Sequence, residues 1–294
     1  MKIIIFGGTG FIGRQISLAY EISGYDVYNV SRNPSSLGKS KEIICDIGDY
    51  ENVEKIIENI RPEIVISTAW NTSYNDYKNS KMNFFYQDCT VNLAKVSIKY
   101  SVNKLLVLGS CSEYGINNTA CIAGQSKLIA HDNYSASKIE SFKQIESLIN
   151  IDRIKFNWIR IFQPFGVGQD SKRLIPYMAN EFTKGLIPTI NYPFSFSDWV
   201  TTRDIGKAVY FISKNLLPTE IDIGTSIKTK NIELLFIISQ LMGKSIQSFE
   251  YAQADEHAGT GLIVDKRSPI LISGWRPSDS LEVGLNWLLK ENMI

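Results

Sequence analysis

The sequence predicts a doubly wound α/β fold, a parallel sheet covered by helices on both faces, with a smaller C-terminal lobe. Three observations predict it. Short runs rich in Val, Ile and Leu alternate with longer helical stretches through the first half of the chain. Those runs are continuously apolar, as strands buried on both faces are. After about Gln163 the texture changes: Pro164, Gly166, Gly168, Pro176, Pro188 and Pro193 punctuate short segments with Phe and Tyr interleaved.

In chain order the elements are a strand over Ile3 to Phe6, a helix ending at Ser23, and strands over Val27 to Val30 and Ile43 to Cys45. A helix around Val53 to Ile60 follows, then strands over Ile64 to Ser67 and Leu105 to Leu108. Asn133 to Asn150 reads as helix and Phe156 to Phe162 as strand, so the alternation is that of a doubly wound sheet. Thr202-Arg203-Asp204 is placed to cap a helix ending near Asn215, and Ile221-Asp222-Ile223 reads as a short strand. Two amphipathic helices, about Ile232 to Met242 and Leu281 to Glu291, close the chain. The division is therefore residues 1–165 with a return segment at about 200–225 as the sheet domain, and 166–199 with 226–294 as the lobe.

Composition narrows what the chain can do. Its 294 residues, 44% of them hydrophobic, suffice for a sizeable core. Lys and Arg number 31 against 30 Asp and Glu, so no global field recruits nucleic acid or an anionic membrane surface. Affinity for a charged ligand must come from local groups. Cys45, Cys89, Cys111 and Cys121 are scattered without CxxC spacing, and with His131 and His257 as the only histidines no zinc or haem ligand set is expected. The N-terminal apolar run is too short for a signal-peptide core, and no run approaches the roughly 18 apolar residues of a membrane span. A cytoplasmic protein in a reducing compartment is the expectation.

Gly7-Gly8-Thr9-Gly10-Phe11-Ile12-Gly13 lies between the first strand and the first helix. Gly7 permits the tight turn, Gly10 lets backbone approach a pyrophosphate, and Gly13 lets helix and strand pack closely. The helix start at Phe11 and Ile12 supplies N–H groups and positive dipole. This is the context in which such spacing marks a Rossmann dinucleotide site. The end of the second strand discriminates between cofactors, because an acidic residue there binds the adenosine ribose hydroxyls. Here it reads Val30-Ser31-Arg32: a hydroxyl and a guanidinium would meet a 2′-phosphate, and NADP is favoured over NAD. The alternative is that Arg32 is only a solvated loop charge.

Tyr134-Ser135-Ala136-Ser137-Lys138 opens a helical stretch, and i,i+4 spacing puts phenol and ammonium on one face. The nearby cation is expected to lower the Tyr134 pKa, making Tyr134 the acid/base. Gly109-Ser110-Cys111-Ser112 follows the buried Leu105-to-Leu108 strand at its C-terminal end, where open α/β sheets place their ligand crevice. Ser110 is the candidate to hydrogen-bond the substrate oxygen. Ser112 competes for that role, and either serine could satisfy turn backbone instead.

With these residues in place the chain resembles the extended short-chain dehydrogenase/reductases acting on nucleotide sugars, the epimerase/dehydratase family, over nearly its whole length. The anchors are the glycine segment, Cys45-Asp46-Ile47, Ser67-Thr68-Ala69, Ser110 with Tyr114-Gly115, Tyr134 with Lys138, Arg160 through Gly166, and Ser273-Gly274-Trp275-Arg276-Pro277. The resemblance implies that Asp46 and Ile47 contact adenine and that Thr68 and Ala69, with Trp70, line the cofactor. It places Pro164 by the nicotinamide and Lys138 on its ribose; Ser110, Cys111, Gln163 and Arg173 are the residues expected to meet the substrate.

The departures carry information. Where dehydratases of the family carry Asp-Glu after the catalytic Thr, this chain has Cys111-Ser112, which lack the acid and base to expel water. Gln163 replaces the usual Asn, and Ser197 replaces an Arg before Asp198-Trp199, weakening one diphosphate clamp. Arg173 and Arg203 are the remaining candidates for an anionic handle, with an ordinary capping or surface charge as the competing reading of Arg203. Trp70, Tyr74 and Tyr77 could stack on a sugar or simply pack. Glu113 is given no role. Three functions stand: an NADPH-dependent reductase of a nucleotide-activated 4-keto(-6-deoxy) sugar in deoxysugar biosynthesis, a nucleotide-sugar 4-epimerase, and a non-enzymatic redox-sensing Rossmann protein. The last has no use for Ser110, Tyr134 and Lys138 together. Beyond the small-molecule substrate, a homodimer is the one partner the reading leaves open.

Overall fold

The computed structural model of the chain describes residues 1–33, 38–73, 77–116, 119–152, 154–246 and 259–292. Its centre is a seven-stranded sheet in the order β11-β7-β5-β4-β1-β2-β3. The strands are β1 (Lys2–Phe6), β2 (Asp26–Ser31), β3 (Lys41–Ile44), β4 (Ile64–Ser67), β5 (Lys104–Ser110), β7 (Lys155–Ile161) and β11 (Glu220–Ile223), and every neighbouring pair runs parallel. Successive side chains of a strand point to opposite faces. Ile3 and Ile5 accordingly join one apolar cluster, with Ile64, Ile66, Leu106 and Leu108, while Ile4 and Phe6 join the other, with Val65, Leu105 and Val107. Each such side chain contributes about 1.5 to 3 kcal/mol on burial, so a run apolar at every position is what a sheet covered twice requires.

Helices α1 (Gly13–Ile22), α6 (Thr202–Lys214) and the short α8 (Pro269–Ile272) cover one face. The other face carries α2 (Tyr50–Ile60), α3 (Met82–Lys99) and α4 (Asn133–Asp152). Sequence reasoning placed no helix over Met82–Lys99. That helix buries polar residues together with apolar ones, and the hydroxyls of Thr90 and Ser97 donate to the carbonyls of Tyr86 and Leu93 at 2.7 Å each, so it shows no polar stripe to betray its period. The cap of α6 is also corrected: Thr201, not the Thr202-Arg203-Asp204 triplet, accepts from the Asp204 N–H at 3.0 Å.

A third apolar cluster gathers Phe165, Ile175, Met178 and Phe182 with Trp199, Leu234, Leu235 and Leu288. It joins α5 (Leu174–Thr183), α7 (Asn231–Leu241) and α9 (Leu281–Asn292), segments that the sequence division assigns mostly to the lobe. Short strands stitch this part together: β8 (Gln163–Phe165) pairs with β10 (Trp199–Thr201), β9 (Phe196–Ser197) pairs with β12 (Thr229–Lys230) and β13 (Gly261–Val264), and β13 pairs in turn with β6 (Ala120–Cys121). Asp198, fully buried, accepts from Thr225 N, Ser226 N and Val264 N at 2.6 to 3.0 Å and so ties three of these segments at one carboxylate. Among the described residues no helix is long and apolar enough to cross a membrane, and no group of three or more His, Cys, Asp or Glu could hold a metal.

Candidate active site

The order of the sheet reverses between β4 and β1, and a cleft of about 850 Å³ opens beyond the C-terminal ends of the strands there. Gly7 forms its floor at φ +83°, a backbone conformation that only glycine adopts without strain. A side chain at Gly7 would stand 2.6 Å from Thr68 Oγ1 and 2.8 Å from Ala69 N, and one at Gly13 would collide with the Gly7 carbonyl. The glycines therefore let three pieces of backbone converge, and α1 begins at Gly13 with no side-chain cap at Ile12. Gly10, Phe11, Ile12 and Gly13 all face the cleft. This uncapped helix start behind a glycine cradle fits a dinucleotide pyrophosphate.

Ser31 and Arg32 line the same cleft at the tip of β2. Ser31 Oγ donates to the Asn33 carbonyl at 2.7 Å, and Arg32 Nε lies 3.9 Å from Asp46 Oδ2 with both side chains largely exposed. Such an exposed pair is worth about 0 to 1 kcal/mol and is easily exchanged for a stronger anion. Asp46 also accepts from Gly48 N at 2.8 Å, which shapes the turn holding Ile47 at the cleft wall.

Tyr134 sits in the first turn of α4, whose start is capped by Asp132 accepting from Ser135 N at 2.7 Å. Its own N–H donates to the Lys78 carbonyl at 2.9 Å, its ring packs edge-on against Tyr77 and Trp70, and its hydroxyl meets the Ser110 side chain. Lys138, one turn on, donates from Nζ to the Leu108 carbonyl at 2.7 Å and lies under the Trp70 ring. Ser110, Tyr134 and Lys138 are thus brought together in one cleft.

The electrostatics differ from the sequence expectation. Burial drives the Tyr134 phenol well above its ordinary value, opposed by the Ser110 hydrogen bond, whereas the lysine was expected to lower it. The reason is that Lys138 is itself desolvated, which pulls it down to about 7 against the supporting charge of Glu113, and its nearest partners are Leu108 and Trp70. In this state Tyr134 is the protonated acid. Burial also pushes the Cys111 thiol up to about 12, so Cys111 lines the cleft as a thiol and not as a thiolate nucleophile.

Glu113, given no role by the sequence, supports Ser110. It is fully buried and accepts from Ser110 N at 2.8 Å, from Trp158 Nε1 at 3.0 Å and from Arg160 Nε at 2.6 Å. Ser110 Oγ in return accepts from Ser112 N at 3.2 Å, closing a capping box on the short 3₁₀ turn Cys111–Tyr114. Gly109 is required here, because a side chain would stand 2.6 Å from Glu113 Oε1. The S-x-x-E spacing was the available signal.

The other candidates divide. Gln163 and Pro164 on β8 line the cleft, and the Pro164 carbonyl accepts from Gln169 Nε2 at 3.2 Å. Arg173 reaches the cleft too, but its Nη2 donates to the Thr72 carbonyl at 2.7 Å and its guanidinium lies 5.0 Å from the Tyr77 ring centroid, so it bridges the loop after β4. Arg203 is not at the cleft: it pairs with Asp279 at 2.8 Å and covers the Trp287 ring, packing α6 against the C-terminal segment. Tyr74 lies outside the described residues.

The model of the NAD dependent epimerase/dehydratase family matches residues 3–224. The chain belongs to that family. It is 28% identical over 230 residues to a GDP-6-deoxy-D-talose 4-dehydrogenase of Aggregatibacter actinomycetemcomitans, covering 75% of this chain and 72% of that protein. It is 24% identical over 300 residues to a UDP-glucose 4-epimerase of Bacillus subtilis (strain 168), covering 88% and 86%. A crystal structure of the Thermotoga maritima UDP-glucose 4-epimerase with UDP-glucose superposes with a TM-score of 0.83 at 21% identity, covering 100% of this chain and 99% of that one. This epimerase/dehydratase family member is an NAD(P)-dependent oxidoreductase with a nicotinamide dinucleotide as its cofactor.

Proposed function

We propose that this family member is an NADPH-dependent reductase of a nucleotide-activated 4-keto-6-deoxy sugar. The observation that carries the reading is the tip of β2: Ser31 and Arg32 stand in the cleft where a ribose-binding carboxylate would stand, and a 2′-phosphate would find a hydroxyl and a guanidinium. An enzyme adapted to the NADPH pool gains most by net reduction. The named 4-dehydrogenase relative supports chemistry at C4 of a 6-deoxy sugar nucleotide. Cys111 and Ser112, in place of the Asp-Glu pair of dehydratases, support an enzyme that receives its keto-sugar from a separate dehydration.

The bound nicotinamide supplies the hydride. The residues of the chain do the rest: the glycine cradle and the start of α1 hold the pyrophosphate, Ser110 donates to the C4 carbonyl oxygen, and Tyr134, held protonated by its buried setting, gives that oxygen its proton. Lys138 holds the nicotinamide ribose and leaves a positive charge beside the phenolate that forms. Gln163 and the polar loop Asn71-Thr72-Ser73 line the space beyond, suited to sugar hydroxyls. A 4-epimerase is the second reading, favoured by the UDP-glucose 4-epimerase among the relatives.

The cofactor argument is tested by titration. NADPH is expected to bind at least several-fold more tightly than NADH, and Arg32→Ala to erase most of the difference. Loss of one charge-assisted contact is worth about 1.5 to 3 kcal/mol, roughly ten- to a hundredfold. Equal affinity for both cofactors, unchanged by the substitution, would overturn the assignment.

A further inference from the structure

Lys138 is 4% exposed, yet the reaction read above needs it charged. What surrounds its ammonium is therefore decisive. The Leu108 carbonyl of β5 accepts one hydrogen bond at 2.7 Å. The indole of Trp70, immediately beyond β4, covers the ammonium with Nζ 3.8 Å from the ring centroid, close enough for a strong cation–π contact. From β7 the Trp158 ring stands at 5.9 Å, and on α4 itself the Tyr134 ring stands at 6.0 Å. Among the described residues the carboxylate acting on the ammonium is Glu113, whose charge is already engaged by Arg160.

Trp70 is also held in place. Its Nε1 donates to Asn83 Oδ1 at 2.9 Å, and Asn83, 2% exposed, donates from Nδ2 to the carbonyls of Tyr77 at 2.6 Å and Ser80 at 2.9 Å. The same stretch receives the Tyr134 N–H at Lys78, so indole and phenol hang from one segment. With Tyr86 and Tyr134 against its ring as well, Trp70 is engaged by protein on several sides while it lines the cleft.

We propose that Trp70 is a positioning residue for Lys138: its anchored indole face takes the place of water around the buried ammonium, keeping the lysine charged and in register with Tyr134. The inference rests on the assignment of Tyr134 and Lys138 as the acid and its supporting cation. Without the indole the ammonium loses its main attraction besides the Leu108 carbonyl and the Glu113 field. Its proton affinity then falls, and the high-pH limb of kcat moves to lower pH.

The test reads the lysine directly, in free protein carrying ¹³C-labelled lysine, with the Lys138 resonance assigned by its absence in Lys138→Arg. Trp70→Leu is expected to lower the Lys138 titration midpoint by about one pH unit, a roughly tenfold loss of proton affinity, and Trp70→Phe to restore most of it. A fluorinated tryptophan placed at position 70 alone keeps the shape and weakens the ring quadrupole, so it guards against a variant that misfolds. Its midpoint is expected to fall in step with fluorination. A midpoint that stays put in the fluorinated protein overturns the proposal. Absence of keto-sugar turnover in the unaltered enzyme would instead sink the functional reading, leaving the titration to decide the role of Trp70.

Discussion

Tyr134→Phe is expected to cut turnover by about 10²- to 10⁴-fold, the usual cost of removing a general acid, while cofactor affinity stays near its original value. The ring that Tyr77 and Trp70 pack against remains, and only the oxygen that meets Ser110 is lost. The loss falls on kcat, because the missing proton transfer belongs to the transition state. Steady-state kinetics alongside a fluorescence titration with the dinucleotide separate the two effects. Near-normal turnover in the variant would mean that another group donates the proton.

A comparably large effect, on stability, is expected from Arg160→Met. Arg160 is fully buried, with Nε 2.6 Å from Glu113 and Nη1 2.6 Å from Glu220. Removing it leaves Glu113 as an uncompensated buried charge, worth about 3 to 5 kcal/mol, which lowers Tm by roughly 5 to 8 °C in a chain of this size. The double variant with Glu113→Gln is expected to recover part of that loss and not all of it, because the fully buried charge is gone while Glu220 still lacks its partner. Thermal unfolding of the set measures this. A single variant melting within about 2 °C of the original would show that the pair is not what holds this region. The same carboxylate holds the Ser110 backbone, so turnover should fall with it.

The features legible from sequence are those written in consecutive residues. The glycine loop, the β2 tip and the Tyr134–Lys138 pair each lie within a few positions, and local chemistry specifies local backbone. The parallel sheet was readable from continuous apolar runs. What escaped depends on distant partners. Glu113 is explained by Trp158 and Arg160 on β7, Arg203 by Asp279, and Trp70 by Lys138 and Asn83. The lowered phenol pKa failed for a related reason: helical spacing brings Tyr134 and Lys138 to one face but does not reveal that both are buried, and burial is the largest influence on each, pushing the phenol up and the ammonium down. The short strands β8, β9, β10, β12 and β13 span two to four residues each, too few to display a period.

Net consumption of cofactor tests the central claim most directly. An epimerase returns the hydride to the substrate it came from, whereas a reductase keeps none for the next turnover. Nucleotide-activated 4-keto-6-deoxy sugars are supplied with NADPH, the reduced nicotinamide is followed by its absorbance, and the sugar product is quantified. The account predicts one NADPH oxidised for each 4-hydroxy sugar formed. Interconversion of two 4-hydroxy epimers with no net change in added cofactor would contradict it.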